Sequence, residues 1–337
     1  MAKGSKYSFL KNKTVLVTGG TGSFGKNFSK YLLENSMLKK LIIFSRDELK
    51  QSELQKEIID PRARFFIGDI RDLQRLDRAF SGVDIVVHAA ALKQVPTLEY
   101  NPFEAVKTNI LGSQNVIDAA VNQGVKKVLL ISTDKAAEPA NLYGSTKLCA
   151  EKLFISGNAY GANKTKLSVV RYGNVMGSRG SVIEMLVKNP NKDTVYITHE
   201  EMTRFWIHLD ESFELVRFAL ENMEGGEIFV PKIGSMRISH LFDILAPKAK
   251  RIITGIRPGE KMHEILLTKE EGRHALDIKN YYVILPEHEE IFNVKKRYKK
   301  FISMGKRLPL NFKYTSNENP LQIDRESFRK NVSKYIN

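Results

Sequence analysis

The run Thr14-Val15-Leu16-Val17-Thr18 passes without a spacer into Gly19-Gly20-Thr21-Gly22-Ser23-Phe24-Gly25. An apolar strand that ends in a glycine-rich turn and opens a helix leaves few folds available. Gly20, Gly22 and Gly25 fit G-x-G-x-x-G, and Gly19, Gly22 and Gly25 fit three glycines at intervals of three. Both registers need glycine because a side chain would keep the backbone away from a pyrophosphate at the helix amino terminus, where unpaired N–H groups favour an anion. The plainer alternative is a tight turn with no ligand.

Short apolar runs then alternate with longer amphipathic stretches: Lys13 to Thr18, Lys40 to Phe44, Arg64 to Ile67, Val83 to Ala89, Lys127 to Ile131 and Lys166 to Arg171. That alternation predicts an α/β chain, a doubly wound parallel sheet with helices on both faces. Residues 11–172 are expected to form the dinucleotide-binding domain, with later segments returning to it. Residues 173–330, where the pattern loosens, form mainly a smaller α/β substrate lobe. Gly177 to Ser181 reads as a loop over the active site.

Within this frame the ends of the strands face the cofactor. Gly19, Gly22, Ser23, Phe24 and Gly25 would meet the pyrophosphate, and Ser45-Arg46-Asp47, after the second strand, would face the adenosine ribose. An acidic residue there binds the 2′-hydroxyl of NAD and an Arg the 2′-phosphate of NADP; Arg46 precedes Asp47, which favours NADP. Asp69 and Ile70 follow the third strand, where Asp69 could meet the adenine amino group or simply cap a turn. Ala89 and Ala90 end the fourth strand and are small enough for a cofactor to lie against. His88 reads as a packed strand residue.

A second pattern is independent of the first. Ser132-Thr133-Asp134-Lys135 is followed by Asn141-Leu142-Tyr143-Gly144-Ser145-Thr146-Lys147, directly after an apolar run. Tyr143 and Lys147 stand at i and i+4, so on a helix they share one face, where the ammonium can favour the phenolate. Tyr-x-x-x-Lys alone is a common chance match; its weight comes from the glycine loop upstream.

A net charge of +15 would suit phosphorylated substrates or nucleic acid, but scattered lysines more often make a solvated surface. Lys295-Lys296-Arg297-Tyr298-Lys299-Lys300 is read that way, so no nucleic-acid partner is expected. Single Cys149 excludes an internal disulfide and suits a reducing compartment; it is expected to be buried packing. No signal segment or bilayer-length apolar run is visible, which predicts a cytoplasmic protein without a membrane partner.

The glycine loop, Ser45-Arg46-Asp47, Thr133-Asp134-Lys135, Tyr143 with Lys147, Arg171 to Val175, Met202 to Trp206 and Arg257-Pro258-Gly259-Glu260-Lys261 together resemble the extended short-chain dehydrogenase/reductases, which have a Rossmann-type fold. Within them the match is to inverting UDP-N-acetylglucosamine 4,6-dehydratases, from about Lys11 to about Ile323. Asp134-Lys135 is the most specific element, since retaining dehydratases usually carry Asp-Glu there and simple C4 epimerases carry no acid/base pair.

The resemblance implies that Tyr143, lowered in pKa by Lys147, takes the sugar 4-hydroxyl proton as hydride leaves C4, while Thr133 steadies that oxygen. It implies that Lys135, an amine of lowered pKa, removes the C5 proton and that Asp134 protonates the leaving 6-hydroxyl. It also implies substrate contacts from Lys93, Asn174, Ser181, Thr203, Arg204, Arg257 and Glu260, and a homo-oligomer, dimer or hexamer. Gln94 departs from the family pattern, which has His. A retaining dehydratase, a UDP-sugar C4 epimerase and a catalytically silent NADP-sensing protein are the rival readings.

Overall fold

The computed structural model describes residues 7–159, 164–177, 181–189 and 193–333. Its main sheet begins with six parallel strands: β1 Thr14–Thr18, β2 Lys40–Ser45, β3 Ala63–Ile67, β4 Ile85–His88, β5 Lys127–Ile131 and β6 Lys166–Val170. They lie in the spatial order β3-β2-β1-β4-β5-β6. This is the doubly wound arrangement that the alternation predicts, with the order of strand addition reversing between β1 and β4. Val15, Leu16 and Val17 are wholly buried, as central parallel strands covered on both faces must be.

Helices α1 Ser23–Asn35, α2 Glu48–Glu57, α3 Leu73–Phe80, α4 Val95–Tyr100, α5 Pro102–Ala105, α6 Gly112–Asn122 and α7 Leu142–Gly157 fall between the strands. A π-helical turn, Val106–Leu111, joins α5 to α6.

The second half supplies two further layers. Strands β7 Asn174–Val175, β9 Thr203–Ile207 and β11 Ser235–Arg237 form a small sheet, and β8 Thr194–Ile197 pairs with β12 Lys250–Ile253. With α8 Val182–Lys188 and α10 Ile238–Leu245 in place, Ile183, Leu186, Trp206, Leu241 and Phe242 close a second core, whereas α9 Leu209–Asn222 buries Phe213, Leu215 and Val216 in the main one. Four later strands extend the main sheet beyond β6: β10 Ile228–Pro231, parallel to β6, then β15 Tyr281–Ile284, β14 Ala275–Ile278 and β16 Lys306–Arg307, each antiparallel to its neighbour. β13 Ile265–Leu267 pairs with β17 Tyr314–Thr315. Among the described residues no helix is long and apolar enough to cross a membrane.

The glycine turn follows β1 at the carboxyl edge of the sheet. Gly19 has φ +65°, and a Cβ there would stand 2.8 Å from the Ala90 backbone. A Cβ on Gly25 would stand 2.4 Å from the carbonyl oxygen of Gly19, a backbone atom that cannot swing aside. Gly25→Ala is therefore expected to cost about 1–3 kcal/mol, by the usual scale of overpacking, and to weaken retention of any bound dinucleotide. Urea unfolding of the variant, with its midpoint compared to the parent, checks this.

Candidate active site

Gly22 caps α1 without a side-chain hydrogen bond, so the first-turn N–H groups of Ser23 and Phe24 point to an anion. The expected cofactor positions Gly19, Gly22, Gly25, Ser45, Arg46, Asp69, Ile70, Ala89 and Ala90 all fall at the carboxyl ends of β1 to β4. Arg46 is exposed, and its guanidinium lies 3.5 Å from Asp69. Asp69 does cap a turn: it accepts from the Arg71 N–H at 2.9 Å and pairs with the Arg71 side chain at 2.7 Å. Burial works against its ionisation, but Arg71 and Arg46 hold its carboxyl below the usual range. The Ser45 hydroxyl accepts from Gln51 Nε2 at 2.9 Å. His88 is a packed residue, between Thr18 Oγ1 at 2.6 Å and Ser113 Oγ at 3.2 Å; burial pushes its pKa down to about 3.

A cavity of about 580 Å³ opens beside this edge, reached by Ser23, Phe24, Ala89, Thr133, Lys135, Tyr143 and Lys147. Tyr143 and Lys147 sit on the first two turns of α7, which starts where it does because Asn141 Oδ1 accepts from the Gly144 N–H at 2.9 Å. Lys93, Asn174, Ser181, Arg204, Arg257 and Glu260 line the cavity as well. Arg257 is exposed, and its carbonyl accepts from the Glu260 N–H at 3.0 Å. Ser181 accepts from the Glu184 N–H at the start of α8; Ser178 to Gly180 of the expected loop lie outside the described residues.

Several expectations need correction. Thr203 does not line the cavity: it is buried, tied to Ser316 Oγ at 2.6 Å and His263 Nδ1 at 2.8 Å. Arg204 lines the cavity but is turned inward, at 3.2 Å from Glu260 and 2.7 Å from the Thr203 carbonyl. Cys149 is half-buried rather than sealed in the core. In the cationic cluster, Arg297 and Tyr298 tie down the carbonyls of Glu224 and Gly225.

The proton chemistry also departs from expectation. Lys147 Nζ donates to the Ile131 carbonyl at 2.8 Å, and burial lowers its pKa to about 8. Tyr143 is not lowered: burial pushes the phenol up to about 12, against the opposing effects of the Lys135 charge and the Thr133 hydroxyl. Lys135 is not a lowered amine either. Burial disfavours its charge, but Asp134 Oδ1 at 3.1 Å and Glu264 Oε1 at 3.2 Å outweigh burial and raise its pKa. Asp134 is fully buried and does not line the cavity; burial raises its pKa, and its Oδ2 has no partner. Its Oδ1 accepts from Thr133 Oγ1 at 2.9 Å, and Thr133 does reach the cavity.

Glu264 and Asn109 are residues that the sequence reading missed. Asn109, on the π-helical turn, binds the Leu92 N–H at 2.8 Å and carbonyl at 2.9 Å and reaches Thr146 at 3.0 Å, fixing the Lys93 loop against α7. The Arg257–Lys261 loop is clamped to the same helix start: Asn141 donates to the Gly259 carbonyl at 2.8 Å and Lys261 to the Ala137 carbonyl at 2.7 Å.

A family model described as polysaccharide biosynthesis protein matches residues 15–286. The chain belongs to that family. A Campylobacter jejuni protein named UDP-N-acetylglucosamine 4,6-dehydratase (inverting) is 48% identical over 93% of this chain and 95% of its own length. A Rickettsia conorii UDP-glucose 4-epimerase is 42% identical over 90% of this chain and 91% of its own. Among solved structures, Pen from Bacillus thuringiensis is 37% identical, with a TM-score of 0.87 over 97% of this chain and 99% of that one. DesIV, a dTDP-glucose 4,6-dehydratase of Streptomyces venezuelae solved with NAD bound, is 25% identical, with a TM-score of 0.65 over 74% of this chain and 86% of that one.

Proposed function

We propose that this family member is an inverting UDP-N-acetylglucosamine 4,6-dehydratase. It would convert UDP-N-acetylglucosamine to UDP-2-acetamido-2,6-dideoxy-β-L-arabino-hexos-4-ulose by C4 oxidation, 5,6-dehydration, C6 reduction and C5 inversion. The observation that carries the reading is the Lys135 amine on the cavity wall with Nζ 3.1 Å from Asp134 Oδ1. A C4 epimerase oxidises C4 and returns the hydride to C4 from the other face, with no use for an acid and a base to eliminate water, and a retaining dehydratase usually carries Glu at the second position.

A nicotinamide dinucleotide, when held by the Gly19–Gly25 turn, would supply the redox chemistry, as hydride acceptor at C4 and donor at C6. Tyr143 accepts the proton of the 4-hydroxyl. Lys135 and Asp134 share one proton in this scheme, and passing it across their 3.1 Å contact from the ammonium to the carboxylate gives a neutral amine and a carboxylic acid. The amine then takes the C5 proton, made acidic by the C4 ketone. Because Asp134 is sealed from the cavity, its proton reaches the departing 6-hydroxyl through Thr133. Water leaves, and Lys135 and Asp134 are again an ammonium and a carboxylate. Inversion requires C5 to be reprotonated from the face away from Lys135.

Incubation with UDP-N-acetylglucosamine in deuterated water, followed by NMR, tests the reading. A 4-keto-6-deoxy product with deuterium at C5 and the L-arabino configuration is expected. A C4 epimer that keeps its 6-hydroxyl, a product with retained C5 configuration, or no conversion would overturn it.

NADP is proposed over NAD on the exposed Arg46 at the end of β2. Arg46→Ala is expected to lower the preference for NADP over NAD by about 10–100-fold, the worth of a charge-assisted contact to phosphate. Binding titrations of the cofactor-stripped protein with each dinucleotide check this. The domain division at 172 and 173 is retained as part of the proposal, as is a cytoplasmic location, which a lone cysteine and a nucleotide-sugar substrate support. Exposed Tyr100, Phe103 and Leu111, close together in the chain across α4, α5 and the π-helical turn, support a homo-oligomer.

A further inference from the structure

Glu264 lies just before β13, far along the chain from the acid and amine that it meets. Its side chain is 3% exposed, yet it reaches the cavity. Its backbone is fixed on both sides of the peptide, since the Glu264 N–H donates to Ser316 Oγ at 2.9 Å and its carbonyl accepts from the Ser316 N–H at 2.9 Å. Oε1 stands 3.2 Å from Lys135 Nζ and 3.7 Å from Arg204 Nε, and Oε2 lies 3.6 Å from Lys261 Nζ without a hydrogen bond. An ionised carboxylate is thus packed where water does not compensate it, and the cations around it must do so.

We propose that Glu264 is the positioning residue of the dehydration step: it holds the Lys135 amine beside Asp134 and sets how firmly that amine keeps its proton. The effect on turnover rests on the dehydratase reading; the effect on the amine does not. Lys135 faces Asp134 from its own turn, Glu264 from the segment before β13, Arg204 from β9, Tyr143 from α7 and Lys261 from the loop before Glu264. Arg204 opposes the charge on Lys135, and the two carboxylates favour it. The Asp134–Lys135 pair works while it carries one proton between its two members. A second proton gives the inactive state at low pH, and loss of the shared proton gives the inactive state at high pH. A negative charge at Glu264 makes both events occur at higher pH, so removing it moves both limbs of the rate profile toward acid.

Glu264→Gln keeps the size of the side chain and removes its charge. In the full-length protein the alkaline limb of kcat is expected to move down by about one to two pH units, the usual effect of an adjacent opposite charge, while Glu264→Asp restores part of the shift. KM for UDP-N-acetylglucosamine is expected to stay within about threefold, as for a residue that does not bind the ground state. A lowered kcat with both limbs unmoved would reduce Glu264 to a packing residue and overturn the proposal.

A second measurement needs no turnover. Acetic anhydride labelling of Lys135, followed across pH by mass spectrometry, is expected to titrate above free lysine in the parent protein and lower in Glu264→Gln. If that variant does not fold, Glu264→Asp, whose shorter side chain draws the carboxylate back, takes its place: a Lys135 midpoint unmoved from the parent overturns the proposal, and one moved down supports it. A parent that labels as expected but makes no 4-keto sugar would sink the dehydratase reading and leave the role of Glu264 standing.

Discussion

Tyr143→Phe is expected to abolish formation of the 4-keto sugar, lowering kcat by about 10³–10⁴-fold, toward the upper end of what a positioned general base contributes. The reason is that every later step depends on the first. The C5 hydrogen is not acidic until C4 is a ketone, and the ketone cannot form while the 4-hydroxyl keeps its proton. The protein alone does not supply a ready base, since burial raises the phenol to about 12. At neutral pH it is protonated, so it must first give up its own proton to solvent, which positive charge at the site favours, and the phenolate then accepts the sugar proton. Lys135 and Thr133 already favour the phenolate, and the cation of an oxidised nicotinamide would add to them.

Lys147 donates one of its three Nζ hydrogens to the Ile131 carbonyl at the end of β5, which braces α7 against the sheet, and the residue also lines the cavity. The phenylalanine variant removes the hydroxyl and keeps the ring, so the fold should survive. Rapid mixing with UDP-N-acetylglucosamine, monitored for reduced nicotinamide and for the 4-keto product, is the measurement; near-parental rates would remove Tyr143 from the chemistry.

How much of this was legible in the chain follows from which contacts are local. Strands β1 to β6 could be read from apolar runs, and the glycine turn from spacing, because each is set within a few residues. The return of β10, β14, β15 and β16 to the main sheet was visible only as a general expectation, since short strands joined by long excursions leave no periodic signal. The Tyr143–Lys147 helix was legible because Asn141 caps it locally.

The electrostatics of the site were not. Whether Lys135 is a low-pKa amine or a fixed ammonium depends on Glu264, brought in by the chain beyond the Arg257–Lys261 loop, and on burial that no motif records. Thr203 was expected to meet substrate because the resemblance implied it, but alternation along β9 sends neighbouring side chains to opposite faces, and Thr203 points to Ser316 and His263. A residue that could have flagged Glu264 is Lys261, three positions earlier and within 3.6 Å of it. That pairing is common on any surface, so it singles out nothing without the fold.

Lys135→Ala separates the half-reactions and is the second large effect. With Tyr143 and the glycine cradle intact, oxidation at C4 is expected to proceed, though more slowly because the Lys135 charge no longer favours the phenolate, while removal of the C5 proton slows by about 10²–10⁴-fold, the usual worth of a general base. The sugar should then accumulate as the 4-keto compound with its 6-hydroxyl still attached and the nicotinamide reduced, a state that the parent protein passes through without pausing. Two consequences distinguish this from simple damage. Deuterium should no longer enter C5 from solvent, and the reduced cofactor should absorb stoichiometrically with protein and stay so.

Removing the ammonium also leaves Asp134 and Glu264 buried without the cation between them, and both become more basic. Some loss of stability is therefore built into the variant, of about 3–5 kcal/mol if neither carboxylate takes up a proton. Lys135→Met, which fills the same space without the charge, has the same carboxylates to accommodate and should show the same chemical block with less cavity cost. If either variant releases 6-deoxy product at the parental rate, Lys135 is not the base. The Asp134–Lys135 contact would then be no more than an ion pair in the floor of the cavity, and the distinction between dehydratase and epimerase would have to be sought elsewhere on its walls.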